Sequence, residues 1–312
     1  MARGAVLWLA WAMGLAGAAV LAAETAADGA AREVRVTLLE AGSEPRQVLR
    51  VTPTKGAVQT TTMTMTMEMA MVVTGFAPPP QKLPPMRTTM AVEVDDVSPE
   101  GDISYTFTME KAEVLPADGV PANVVEMLET RLVSMEGLKG TGRATSRGVT
   151  QEAEIEIPED VDAQTRPLLE SMKQSLDQFS APYPEEPVGL GASWEVEIPM
   201  KHGGIESVTV ATYTLERVTD GGCTLAVTMR QAAEPQDIDN PQLPAGTTMR
   251  VDDLQASGSG TLTITFGHIM PASSTMKLAS ALETTIDVGG RKQGMTMKSD
   301  IEVEIESRER LK

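Results

Sequence analysis

The chain has 312 residues, 41% of them hydrophobic, and a formal net charge of -18 from 44 Asp and Glu against 26 Lys and Arg. Such a surface repels nucleic-acid phosphates and anionic lipid headgroups, so no nucleic-acid partner is expected. The single cysteine, Cys223, excludes an internal disulfide and reads as a small core residue, and the two histidines, His202 and His268, have no Cys or His at ligand spacing, which argues against a zinc site and against His-based acid–base catalysis.

Residues 1–23 read as a secretory signal: Arg3 supplies the positive start, Ala5–Ala23 the apolar stretch, and Ala22 or Ala23 the small residue for cleavage before Glu24. The alternative is a retained membrane anchor. No later stretch approaches the length of apolar sequence that crosses a bilayer as a helix. The expectation is export to the periplasm or the extracellular space, with 24–33 a flexible lead-in.

Val34–Leu39 forms a first short strand. Leu49–Gly56 ends in a Pro/Gly turn. In Thr60–Val73, Met63, Met65, Met67, Met69 and Met71 alternate with Thr64, Thr66, Glu68 and Ala70, so a strand places all five methionines on one face. Gly75–Pro85 reads as a proline-rich loop. Met86–Val97 and Ile103–Val114 flank the turn Ser98–Asp102, a hairpin signal. Pro121–Glu136 switches to helical period, with Val124, Val125, Met127, Leu128, Leu132 and Met135 on one stripe. Two short strands follow around Arg147 and Gly148.

Asp160–Phe179 gives a second amphipathic helix through Leu168, Leu169, Met172, Leu176 and Phe179, starting near Thr165 or kinked at Pro167. The prolines of Ala181–Pro187 end it. Ser193–Pro199 is a strand with Trp194, Val196 and Ile198 on one face, behind the structural glycines Gly189 and Gly191. Ile205–Val218 and Cys223–Ala232 pair around Thr219–Gly222. Glu234–Asp253 reads as a polar loop, and Ser259–Phe266, Thr275–Val288 and Gln293–Glu306 as three further strands.

Two hairpins, 86–114 and 205–232, stand about 120 residues apart. Gly140-Thr141-Gly142 and Gly258-Ser259-Gly260 repeat at about 118. A duplicated β-rich unit and a chance likeness of hairpins both remain open. The fold class is α+β, mainly β: a large curled antiparallel sheet, a half-barrel or open barrel, with two amphipathic helices in its concave face. The units are 34–159, a helix and hinge at 160–187, and 188–312.

Few residues suggest chemistry. The methionine strand could hold Cu(I), but even alternation fits a core or cavity lining better, and no metal or cofactor is expected. Ser274-Thr275-Met276-Lys277 fits S-x-x-K but lies in strand sequence without the companion motifs of penicillin-recognising enzymes. Asp237–Asn240 opens like a calcium loop, then lacks its glycine and its glutamate. Glu152, Glu154, Glu156 and Glu302, Glu304, Glu306 read as solvated strand faces.

Leu49–Gly56 (LRVTPTKG), Met63–Met69 (MTMTMEM), the hairpin Val94–Val114 and Pro182–Pro199 (PYPEEPVGLGASWEVEIP) together resemble DUF6263, a family of exported bacterial proteins of unknown function, over residues 45–306. The resemblance implies no activity and transfers no catalytic residue. The expected function is a non-enzymatic exported binding or scaffold protein, with room for an apolar ligand such as lipid. Met63, Met65, Met67, Met69, Met71, Leu169, Met172 and Leu176 would line the ligand site. A structural or protein-interaction module with a filled core is the alternative, and a hydrolase using Ser274 and Lys277 comes third.

Overall fold

The computed structural model describes residues 34–157, 182–202, 204–238 and 247–310. They build one 13-stranded sheet. Its strands are β1 (Arg35–Glu40), β2 (Val58–Val73), β3 (Gln81–Val97), β4 (Ile103–Val114), β5 (Lys139–Ala144), β6 (Thr150–Glu156), β7 (Ser193–His202), β8 (Ile205–Thr219), β9 (Gly222–Ala233), β10 (Gln236–Ile238), β11 (Thr247–Thr265), β12 (Ser273–Val288) and β13 (Arg291–Glu309). The order across the sheet is β1-β7-β8-β9-β11-β12-β13-β2-β3-β4-β5-β6, with β10 attached to β11. All pairings are antiparallel.

Two meanders meet where β13 pairs with β2, from Met295 opposite Val73 to Glu309 opposite Gln59. The Gly-x-Gly sequences hold matching places in them: each lies in the strand next to a hairpin's second strand, β5 beside β4 and β11 beside β9. Gly140 and Gly142 lie under the rings of Phe107 and Tyr105, where any Cβ would collide with the ring.

Period-two sequence explains the strands. In β2 the residues Gln59, Thr61, Met63, Met65 and Met67 are buried while their neighbours face outward. A single apolar core joins Ala144, Ala153 and Ile155, on or beside the last strands of one meander, to Trp194, Val196 and Tyr213 at the start of the other. A flat ladder of that width could not bring them together, so the sheet curls around its core. It stays open between β1 and β6.

The end where β2 starts and β13 finishes is called the lower end here. Two irregular segments floor it. Residues 41–57 cross beneath the sheet: the Val51 N–H donates to the Ser146 carbonyl (3.1 Å), the Thr52 N–H to Phe266 (2.8 Å) and the Gly56 N–H to Val94 (2.8 Å). Residues 182–192 lie against them, with a Gln47–Val188 bridge and the Arg50 guanidinium donating to the carbonyls of Pro184 (3.1 Å) and Glu185 (3.3 Å). Leu49, Val51, Tyr183, Val188 and Ala192 are at most 1% exposed there.

Several expectations need correction. Among the described residues there is one helix rather than two, α1 (Ala122–Val133), and its Leu132 and Leu128 pack against the core. It links the upper ends of adjacent strands β4 and β5, packs on β4 and buries only Leu132, while Met127 stays 47% exposed. The Gly137 N–H donates to the Met109 carbonyl (2.8 Å) and holds this crossover at the rim. The expected helix at Asp160–Phe179 falls outside the described residues. β3 starts at Gln81, inside the expected proline loop, because a register shift opposite Met65–Met67 accommodates Pro84 and Pro85. β11 starts at Thr247, inside the expected polar loop, because a bulge between Val251 and Asp253 lets Asp252–Asp253 sit in a continuous strand.

Candidate functional site

The inner face of the sheet divides into three levels. At the lower level the methionines of β2 are packed: Met63, Met65 and Met67 are 1%, 0% and 3% exposed. Trp194 stacks on Tyr213 with ring centroids 5.6 Å apart and meets Tyr183 edge-on at 6.4 Å. Burial raises the pKa of Tyr183 and Tyr213 well above the usual phenol value and pushes the buried Cys223 thiol up to about 12, so all three are neutral at neutral pH. This level is filled core.

Above it runs a polar row. Strand register sets Thr209, Gln231, Ala256, Ser280, Ser299 and Met69 side by side across six strands. The Gln231 amide donates to Ser207 Oγ at 2.9 Å, the hydroxyls of Ser280 and Ser299 are 2.7 Å apart, and the Thr209 hydroxyl donates to the Met200 sulfur at 3.2 Å. Ser207 and Thr209 are buried, whereas Gln231, Ala256, Ser280, Ser299 and Met69 are half-buried. Beyond the row a second apolar cluster forms from Ile205, Ala233, Ile238, Met249 and Val251, with Leu254, Leu282 and Ile286 partly covered.

The expected ligand-lining methionines therefore share a face but not a depth. Met63, Met65 and Met67 belong to the filled core, Met69 lies at the polar row, and Met71 is 44% exposed near the strand end. Leu169, Met172 and Leu176 lie outside the described residues. Gly189 and Gly191 sit in the floor: a Cβ on Gly189 would strike the Ser43 carbonyl, and Gly191, at φ 81°, donates its N–H to the Leu215 carbonyl at 2.8 Å. Sequence reasoning missed the row of Gln231, Ser280 and Ser299, whose only signal was polar residues at inward positions of otherwise alternating strands.

The S-x-x-K residues are separated. Ser274 is buried on the inner face, and Lys277 stands on the outer face, paired with Glu302 at 3.2 Å. Two residues three apart on one strand must face opposite ways. Asp237 pairs with Arg250 at 3.3 Å, and Asp239 and Asn240 lie outside the described residues. Among the described residues, no three His, Cys, Asp or Glu side chains gather to hold a metal ion. A shallow depression of about 550 Å³ lies on the outer face, where Asp300 stands directly opposite Glu68.

Residues 169–268 match the sequence model of a family of unknown function (DUF6263). The chain resembles DUF6263 over that third of its length. The DUF6263 match takes in the floor segment 182–192 and strands β7 to β9, including Trp194. No curated protein matches the chain. Among solved structures it is similar to the crystal structure of an outer membrane channel from Pseudomonas putida F1, at 5% identity and a TM-score of 0.18 over 82% of this chain and 97% of that one. A score that low carries no argument about fold or function.

Proposed function

We propose that this DUF6263-like chain is an exported, non-enzymatic binding protein that holds an apolar or amphiphilic molecule, such as a lipid, on the upper inner face of its sheet. The observation behind this reading is the change along that face. Below is a filled core. Above it Met69, Met229 and Leu282 remain partly covered around a row of amide and hydroxyl groups at Gln231, Ser280 and Ser299. Apolar surface with a few placed polar groups suits an acyl chain with a polar head.

Delipidated protein should bind fluorescent fatty acids, and native mass spectrometry of freshly purified protein should show a bound lipid. Ala256, small and half-buried in the polar row, gives a blocking variant: Ala256→Trp should abolish binding while the thermal melt persists. Absence of any ligand from wild-type protein in both experiments overturns the reading. A structural or protein-interaction module with a filled core then takes its place, a reading favoured by the full burial of Met63, Met65 and Met67.

A further inference from the structure

The upper end of the sheet carries a second feature, independent of the inner face. Two hairpin tips end side by side there: β2 turns into β3 through residues 74–80, and β12 turns into β13 through Gly289 and Gly290. Thr74 ties them together, its N–H donating to the Gly294 carbonyl (3.0 Å) and its hydroxyl accepting the Gly294 N–H (3.1 Å). Beyond Gly294, β13 runs three more residues, which carries Arg291 roughly 10 Å past the junction.

This end is apolar and basic at once. Met71, Val72, Phe76 and Val288 are 44%, 46%, 66% and 57% exposed. Phe76 is the most exposed large hydrophobic side chain among the described residues. Around them stand Lys82, Arg291, Lys292 and Lys298, all exposed, and none forms an ion pair among the described residues. Elsewhere exposed cations are commonly paired, as in Lys55–Asp96 (2.9 Å), Lys277–Glu302 (3.2 Å) and Arg310–Glu110 (2.8 Å). Within 69–82 and 285–299 the one carboxylate is Asp287, which accepts the Gly290 N–H at 2.7 Å. Across the strands Asp287 stands opposite Lys292, Glu283 opposite Thr296 and Glu68 opposite Lys82, and Asp300 follows further down β13. In a chain of net charge -18, Arg291 and Lys292 stand at the tip of the β12–β13 hairpin, next to the hairpin that carries Phe76, while Lys298 and Lys82 lie further down the strands at the level of Ala70 and Glu68.

We propose that these tips dock the protein on an anionic lipid bilayer. Phe76, Val72 and Val288 enter the headgroup region, and Arg291 and Lys292 at the tip meet the lipid phosphates. Charge selects this occupant over a second copy of the chain, because two such tips face to face would oppose like charges. The acidic remainder of the molecule does not prevent docking, since its field is screened within about 8 Å at physiological salt. The inference stands whether or not the inner face holds a ligand.

Vesicle flotation of the full chain tests it. Wild-type protein should float with phosphatidylcholine vesicles containing phosphatidylglycerol, not with phosphatidylcholine alone, and high salt should release it. The triple variant Phe76→Ser, Arg291→Glu, Lys292→Glu should float at least about tenfold less. Leu39→Ser, at a half-exposed apolar position on edge strand β1 (50% exposed, against 66% for Phe76), should float like wild type. Where the triple variant shifts the thermal melt, Phe76→Ser alone is the comparison. Binding that ignores phosphatidylglycerol, no binding at low salt, or a folded Phe76→Ser variant that floats as wild type would overturn the proposal. So would a lipid-free dimer that Phe76→Ser dissolves in sedimentation, which would assign the tips to a second copy.

Discussion

Trp194 lies flat against Tyr213, with centroids 5.6 Å apart and planes 14° from parallel, on the pairing of β7 with β8. The indole is 1% exposed and also touches Tyr183 from the floor segment, so one side chain joins sheet to floor. Trp194→Ala should therefore destabilise the protein by about 3–5 kcal/mol, and Trp194→Phe by less. Thermal or urea unfolding measures both. A near-neutral Trp194→Ala would show that the floor is not held by this contact.

The floor also rests on close backbone approach. Gly189 has no room for a Cβ because the Ser43 carbonyl occupies it, and its N–H donates to the Ala41 carbonyl at 2.9 Å. Gly189→Ala forces two backbone segments apart and should cost about 1–3 kcal/mol. Gly221 is the internal comparison: it lies in open space without a positive φ, so Gly221→Ala should leave stability unchanged or raise it by up to about 1 kcal/mol. Equal effects at both sites in urea melts would contradict the geometry.

Much of this sheet was legible because period two is a direct reading of which face a residue occupies. The hairpins around Ser98–Asp102 and Thr219–Gly222 follow from turn residues between alternating runs. What escaped has physical causes. The bulge at Asp252 flips the parity of Met249 and Val251 relative to Leu254, so no single alternation spans β11 and its first half reads as loop. The floor is irregular backbone with no period at all, so its segments showed only as proline and glycine turns and through the resemblance to DUF6263. The methionine run showed a shared face but not depth, because burial along that face depends on how far the core fills the curl. Ser274 and Lys277 illustrate the converse: a spacing of three suits a helix, and on β12 it separates them.

Alkaline stability should fall for a reason visible in the core. Burial pushes the Cys223 thiol up to about 12 in the folded protein and raises the Tyr183 and Tyr213 phenols as well. In the unfolded chain a thiol titrates near 8.5 and a phenol near 10. The folded state thus keeps protons that the unfolded state loses. This stability is fully present below about pH 8.5 and is lost as pH rises toward the folded values, by up to about 1.4 kcal/mol per pH unit for each group in its window. Urea denaturation midpoints should fall between about pH 8 and pH 11, first through the thiol and then through the phenols. Cys223→Ala should flatten the first part of that decline. A midpoint that is constant with pH would mean that these groups are not neutralised by burial.

Depth along β2 yields the sharpest test of where filled core ends. Met65 is 0% exposed between Met63 and Met67, with strands paired on either side. Met65→Ala should cost about 2–5 kcal/mol through lost transfer energy and the cavity left behind. Met71, six residues further on the same face and 44% exposed, should tolerate alanine within about 0.5 kcal/mol. Met69 lies between them at the polar row, beside Ser299. If a ligand occupies that level, Met69→Ala should weaken binding more than it lowers the melting temperature of ligand-free protein. If the level is closed core, the stability loss should match that of Met65→Ala, with no separate effect on binding. Three melts and one titration distinguish the two cases.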